Sequence, residues 1–325
     1  MTRSLYTLFS TAVILAGSLS AQSSAGTEFW LGYMENLNIA FNDPPAFSVV
    51  VSTDVATTGS VDLPASGLSV PFTAGVGTTE VFLPDGVYYS NESEQIDNQG
   101  IRITTADPVR IQAFHYRLYF AESSNVLPTS ELGTDYRVTA ILDESGLFPT
   151  SLVIVATADN TEIEITPTSE TLALRPAGVP FTVTLDAGQN YQVQAVGELS
   201  GTRVRSVSGQ PIAVFSGAQQ ANIDDGFCPG GADSHVWDQS LPLTDWRNLY
   251  YFVPFSGQGG DRIRVLAAED NTRVFFDCEQ VATLSTGEFH EAFLTEATVV
   301  SSTAPVSLTQ YTNSGSCEPS QLGAP

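Results

Sequence analysis

The chain has 325 residues, 42% of them hydrophobic, and its 36 acidic residues against 12 basic ones give a formal charge of −24. That length and apolar content suit two or three domains with cores of their own. The charge excludes nucleic acid and anionic membrane surfaces as partners, since both demand clustered cations and every basic residue here is Arg.

The first element is a leader. Arg3 opens it, Leu5–Ala16 is an apolar run too short to span a bilayer, and Ser18–Ala21 is a small-residue stretch. Residues 1–21 are read as a secretory signal peptide, so the mature protein is expected to be secreted or held at the cell surface. No later apolar stretch reaches the length of a membrane helix, and no membrane insertion is expected. The acidic surface then serves solubility; the sharper readings are attraction of divalent cations or of a basic partner.

The mature chain begins with an aromatic strand, GTEFWLGYM from Gly26. FSVVVSTDVATTGSVDLP from Phe47 reads as a hairpin turning at Thr57-Thr58-Gly59, and the proline-led IRITTADPVRIQAF from Ile101 closes a first β module, 26–117. Leu127-Pro128 introduces the second, 127–217, where strands are expected near 136–141, 151–158, 161–167, 180–187, 190–196, 201–207 and 212–218. A polar connection, QQANIDDGFCPGGADSHVWDQ from Gln219, leads to Leu241-Pro242 and the third module, 241–313. IVATADNTEIEI from Ile154 returns there as RVLAAEDNTRVFF from Arg264, so the chain repeats one unit.

Short strands rich in Val, Ile, Thr, Phe and Tyr, broken roughly every 8–12 residues by turn formers, predict an all-β fold. It consists of three related antiparallel β-sandwich-like modules, arranged as beads or packed into one compact body by sharing sheets. Helix is expected only in the leader and in one turn near Leu241–Asn248.

The search for chemistry returns little. His290-Glu291 opens an HExxH pattern that Leu294 breaks, no GxSxG elbow occurs, and Gly257-Gln258-Gly259-Gly260 precedes a strand, as a turn does. No catalytic residue and no organic cofactor are assigned. Asp224, Asp225, Asp233 and Asp238, with His235 among them, form the best ligand-like set: calcium needs several oxygens from one loop, although such a loop is more often merely solvated. Cys278 and Cys317 are placed to pair across the third module, leaving Cys228 free. Asp159-Asn160 and Asp270-Asn271 suit tight turns, with ligand contact as the alternative. The aromatic set Phe29, Trp30, Tyr33, Tyr136, Tyr250, Tyr251 and Phe252 reads as core, with an exposed subset available for binding. Asn91-Glu92-Ser93 is a glycosylation sequon.

GTEFWLGYMENL at the start of the mature chain, VLPTSELGTDYRV from Val126, IVATADNTEIEITP, FTVTLDAGQNYQVQ from Phe181, ELSGTRVRSVSGQPIAVFSG from Glu198 and DSHVWDQSLPLTDW from Asp233 carry a resemblance. In this order they resemble the N-terminal domain of IgGFc-binding protein, here as a bacterial secreted member. The resemblance implies an extracellular, non-catalytic binding or adhesion module recognising a protein or a glycan. Two alternatives accompany it: a structural spacer of a larger adhesin or surface layer, and a carbohydrate-active enzyme with paired carboxylates. The resemblance implies no particular ligand, since no set of residues here is identifiable as an antibody Fc contact.

Overall fold

The computed structural model describes residues 24–36, 45–84, 87, 89–90, 92–117, 120–223, 234–256 and 259–312. Among these residues there are 22 β-strands, two 3-10 turns and no α-helix. The first group of strands is β1 (Gly26–Leu31), β2 (Ala46–Thr53), β3 (Thr57–Leu63), β4 (Leu68–Ala74), β5 (Gly77–Phe82), β6 (Ile96–Asp97), β7 (Ile101–Arg117) and β8 (Phe120–Val126). Strand β7 serves both layers of this module. Its first half pairs with β1 and β3, and its second half pairs with β2 and β8. The change falls at Pro108, which has no N–H to give a ladder, and the register of β1 shifts there as well.

The second group is β9 (Asp135–Arg137), β10 (Thr150–Ala156), β11 (Thr161–Thr166), β12 (Phe181–Leu185), β13 (Asn190–Ala195), β14 (Arg203–Ser206), β15 (Ile212–Ala221) and β16 (Ser234–Gln239). A strand is present at each of the seven expected places, with β9 shorter than the expected 136–141 and β15 running beyond the expected 212–218 to Ala221. One layer runs β12-β11-β14-β9 and the other β16-β15-β10-β13, extended by β6 from the first group. Strand β16 corrects the reading of Gln219–Gln239 as one polar connection: His235, Trp237 and Gln239 alternate inward on a half-buried strand. Polar composition hid the alternation.

The third group is β17 (Arg247–Phe252), β18 (Asp261–Ala267), β19 (Thr272–Phe276), β20 (Glu279–Leu284), β21 (Phe289–Leu294) and β22 (Thr298–Tyr311). Strand β22 repeats the role of β7: its first half pairs with β17 and β19, and its second half, beyond Pro305, with β18.

The repeated Asp-Asn-Thr segment is a turn. Asn160 and Asn271 stand at φ of +56° and +57°, a left-handed conformation that Asn tolerates. Asp159 Oδ1 accepts from the Ala187 amide at 3.0 Å, and Asp270 Oδ1 from the Thr286 amide at 2.8 Å, so each carboxylate ties its turn to the neighbouring hairpin. In the first module the turn lies earlier than expected. Thr57 already begins β3, and the connection is Asp54–Ala56.

The modules are joined by a repeated contact. Pro128 and Pro242 each enter a 3-10 turn, Thr129–Glu131 and Leu243–Asp245, with φ of −64° and −63°. Each proline rests on a glycine at the front of the preceding module: a Cβ on Gly26 would lie 2.4 Å from Pro128 Cβ, and one on Gly133 would lie 2.4 Å from Pro242 Cβ. A second pair of glycines repeats alongside. The Gly188 turn carbonyl accepts from the Gly100 amide at 3.1 Å; the Gly287 turn packs as closely on Gly201, whose amide donates instead to the Val138 carbonyl at 2.9 Å.

These joints seat unequal interfaces. Val153, Val155, Ala213, Phe215 and Trp237 of the second module share a single core with Phe29, Leu31, Tyr33 and Ile103 of the first. Trp237 Nε1 also donates to the Gly32 carbonyl at 3.1 Å. Between the second and third modules a buried arginine dominates. Arg264 donates to the Ala140 carbonyl at 2.6 Å and to Ser200 Oγ at 2.7 Å, and pairs with Glu198 and Glu291.

Candidate binding groove and exposed strip

Three strands converge where the modules meet: β8, β16 and the end of β22. They surround a cavity of about 520 Å³ lined by Glu122, His235, Asp238, Phe255, Gln310 and Tyr311 among others. A second cavity of about 230 Å³ adjoins it, sharing Val236, Asp238, Thr309, Gln310 and Tyr311. Together they form a groove along β22. Side chains knit its far wall, with Ser124 Oγ donating to Asp238 Oδ1 at 2.6 Å and the Gln239 amide donating to Ser124 Oγ at 3.0 Å.

Burial pushes the Glu122 carboxyl up to about 7; the nearby Asp238 charge adds to this, and the Ser123 amide opposes it. Asp238 is also raised, by desolvation at the groove wall although the residue as a whole is exposed, against the hydrogen bonds from Ser124 and the Gln239 amide. Behind the groove, His115 and His235 meet edge to face with ring centroids 5.3 Å apart. Burial lowers His235 to about 4 despite its hydrogen bonds to the Gln219 and Ala218 backbone, and lowers His115 as well, with His235 and Arg117 adding to the effect. Neither His115 nitrogen has a hydrogen-bond partner among the described residues, nor does His235 Nε2.

The second feature is an exposed apolar strip on the third module. Leu249, Tyr251, Val253 and Val299 are exposed, Tyr251 to 73%. Ladder register identifies the equivalents of Tyr251. Phe29, Tyr136 and Tyr250 oppose Ile103, Val204 and Val300, so the next residues, Trp30, Arg137 and Tyr251, correspond. In the first two modules this position is covered: Trp30 is buried, and Arg137 Nη2 donates to Thr286 Oγ1 of the next module at 3.0 Å. In the third it is bare. The joint glycines differ too, because Arg247 stands in register with Gly133, and Ala297 with Gly201.

Of the calcium candidates, Asp224, Asp225 and Asp233 lie outside the described residues, while Asp238 sits on β16 with its carboxyl directed to Ser124. No group of three or more His, Cys, Asp or Glu placed to hold a metal occurs among the described residues. Cys278 occupies the exposed β19–β20 turn at φ of +73°; Cys228, Cys317 and Asn91 lie outside the described residues. Of the aromatic set, Phe29, Trp30, Tyr33, Tyr136 and Phe252 are core, Tyr250 is half-buried and Tyr251 forms the strip. Glu122 was missed in the sequence, as an acidic residue on a short polar strand carries no periodic signal.

A family model described as IgGFc binding protein matches residues 122–325, more than half of the chain. The chain belongs to this family. No curated protein and no solved structure matches it. The IgGFc-binding family is a non-enzymatic binding family whose partners are proteins. Its matched range starts within β8 and takes in both the groove strands β16 and β22 and the exposed strip. No helix among the described residues is long and apolar enough to cross a membrane.

Proposed function

We propose that this chain is a secreted or cell-surface recognition protein, without catalytic activity, that binds an extracellular protein through the exposed strip of its third module. The observation that carries the reading is the contrast between equivalent positions. Trp30 is buried and Arg137 is bonded to the following module, whereas Tyr251, at the same place in the ladder, is 73% exposed beside Leu249, Val253 and Val299. A contiguous apolar surface on a very acidic protein is the kind that marks a protein contact. The spacer alternative needs a further module on this face, and Arg247 and Ala297 fill the positions where glycines admit one. The test is a panel of matrix proteins, mucins, host glycoproteins and antibody Fc, offered to the mature chain and to a Leu249→Ser/Tyr251→Ser variant. At least one protein should bind the native chain and bind the variant on the order of tenfold more weakly. Uniformly null binding, or equal binding by both, contradicts the proposal.

A further inference from the structure

The three modules place comparable strands side by side, and one position in the third is open. In the first module the second half of β7 lies between β2 and β8; in the second, β15 lies between β10 and β16. In the third, the second half of β22 has β18 on one side, with pairs from Val306–Ala267 to Tyr311–Arg262, and no strand on the other among the described residues. The open side faces the groove whose other walls are β8 and β16. An unpaired strand edge at the bottom of a groove presents backbone N–H and C=O groups in the spacing that an added strand completes.

The chemistry of the groove selects the occupant. Its larger cavity carries two carboxylates, Glu122 and Asp238, and no arginine, whereas Arg137 lines the smaller one and is already bonded to Gly201 and Thr286, so the acidic end is the one that a basic side chain fits. The chain's own residues 313–325 contain one acidic residue, Glu318, and no basic one, and a second copy of the chain brings a charge of −24. Both are mismatched to this wall. We infer that an extended, Lys- or Arg-bearing segment of a partner protein adds to β22 along Leu308–Tyr311, occupying the place of a third return strand, with its basic side chain between Glu122 and Asp238. This rests on the protein-binding reading above but uses a different surface.

The experiment offers the full chain a synthetic decapeptide alternating Lys with Val and Thr, and a matched peptide with Glu in place of Lys. Binding is read by fluorescence anisotropy, and its location by amide hydrogen exchange. The basic peptide should slow exchange at Leu308–Tyr311 and leave the β17 amides unchanged. Its affinity should rise with pH through about 7, where Glu122 ionises, and fall on the order of tenfold in Glu122→Gln/Asp238→Asn. That variant keeps the backbone edge, so it separates loss of charge from loss of fold. Equal binding of the acidic peptide, or binding without protection of β22, overturns the inference. So does protection of these amides in the free protein, by the chain's own tail when it is independent of concentration and by a second copy when it grows with concentration. If the panel protein binds the native chain and not the strip variant while the basic peptide leaves β22 unprotected, the groove inference falls and the strip reading stands.

Discussion

Tyr136 and Tyr250 do the same work in successive modules. Each hydroxyl accepts from an amide three residues earlier, Gly133 at 2.7 Å and Arg247 at 3.0 Å. Each also donates to the carbonyl just after the module's proline, Ile212 at 2.8 Å and Val306 at 2.7 Å. Replacing Tyr136 by Phe leaves a buried carbonyl and an amide without that partner, which should cost about 1–3 kcal/mol in a urea melt; no loss would show the corner to be dispensable. The titratable residues of the groove oppose one another. His235, lowered to about 4 from 6.5, and His115, also lowered, make the unfolded chain the better proton acceptor, so stability drops as pH falls below 6.5. For His235 alone the full effect is roughly 3 kcal/mol. Glu122, raised from 4.5 to about 7, and Asp238, also raised, act in reverse, since desolvation of their charged forms costs more as pH rises through 4.5 toward 7. The native chain should therefore melt at nearly constant temperature between pH 4.5 and 6.5, while Glu122→Gln/Asp238→Asn should melt lower at pH 4.5 than at 6.5. A flat profile in that variant would remove the histidines from the account.

Among the elements, those carried by apolar alternation and turn chemistry were legible from residues alone. The run SLVIVA of β10, the proline-led strands after Pro108, Pro211 and Pro305, and the turn at Leu243–Asp245 appear where expected, while the matching 3-10 turn at Thr129–Glu131 was not expected. Strand β16 was not, because Ser234, Gln239 and Asp238 make its outward and hydrogen-bonded positions look like loop. The joints were only half legible. Leu-Pro was visible as punctuation, but that Pro128 and Pro242 rest on Gly26 and Gly133 depends on contacts about a hundred residues apart, for which one sequence holds no signal. A Cβ at Gly133 meets proline carbons, not the end of a flexible chain, so Gly133→Val should open the second joint and destabilise the protein by about 1–3 kcal/mol. The same substitution at Gly67, with nothing within 4 Å but φ of +75°, should be destabilising through backbone strain without loosening any joint. Limited proteolysis between residues 240 and 246 distinguishes the two: only Gly133→Val should accelerate cleavage there.

At the scale of the whole molecule, the modules do not stand as beads. The first and second share one core, the second and third are locked by Arg264, and the front faces of the first two modules each hold the next one's joint. That packing gives the end of the series its character. The face occupied in the first two modules is exposed on the third, and the strand position filled twice has no strand there among the described residues, so the proposed apolar and acidic surfaces both belong to the third module's end of the series. None of this was readable from the repeat alone, because the repeat reports what the modules share and the proposed binding surface lies where the third departs from it. The most direct test is amide hydrogen exchange on the chain bound to a partner captured from the panel. Protection confined to Arg247–Phe252 and Thr298–Ser301, with the first two modules unchanged, is the predicted result. Protection elsewhere on the first or second module, with Tyr251 and its neighbours exchanging as in the free chain, would contradict the assignment.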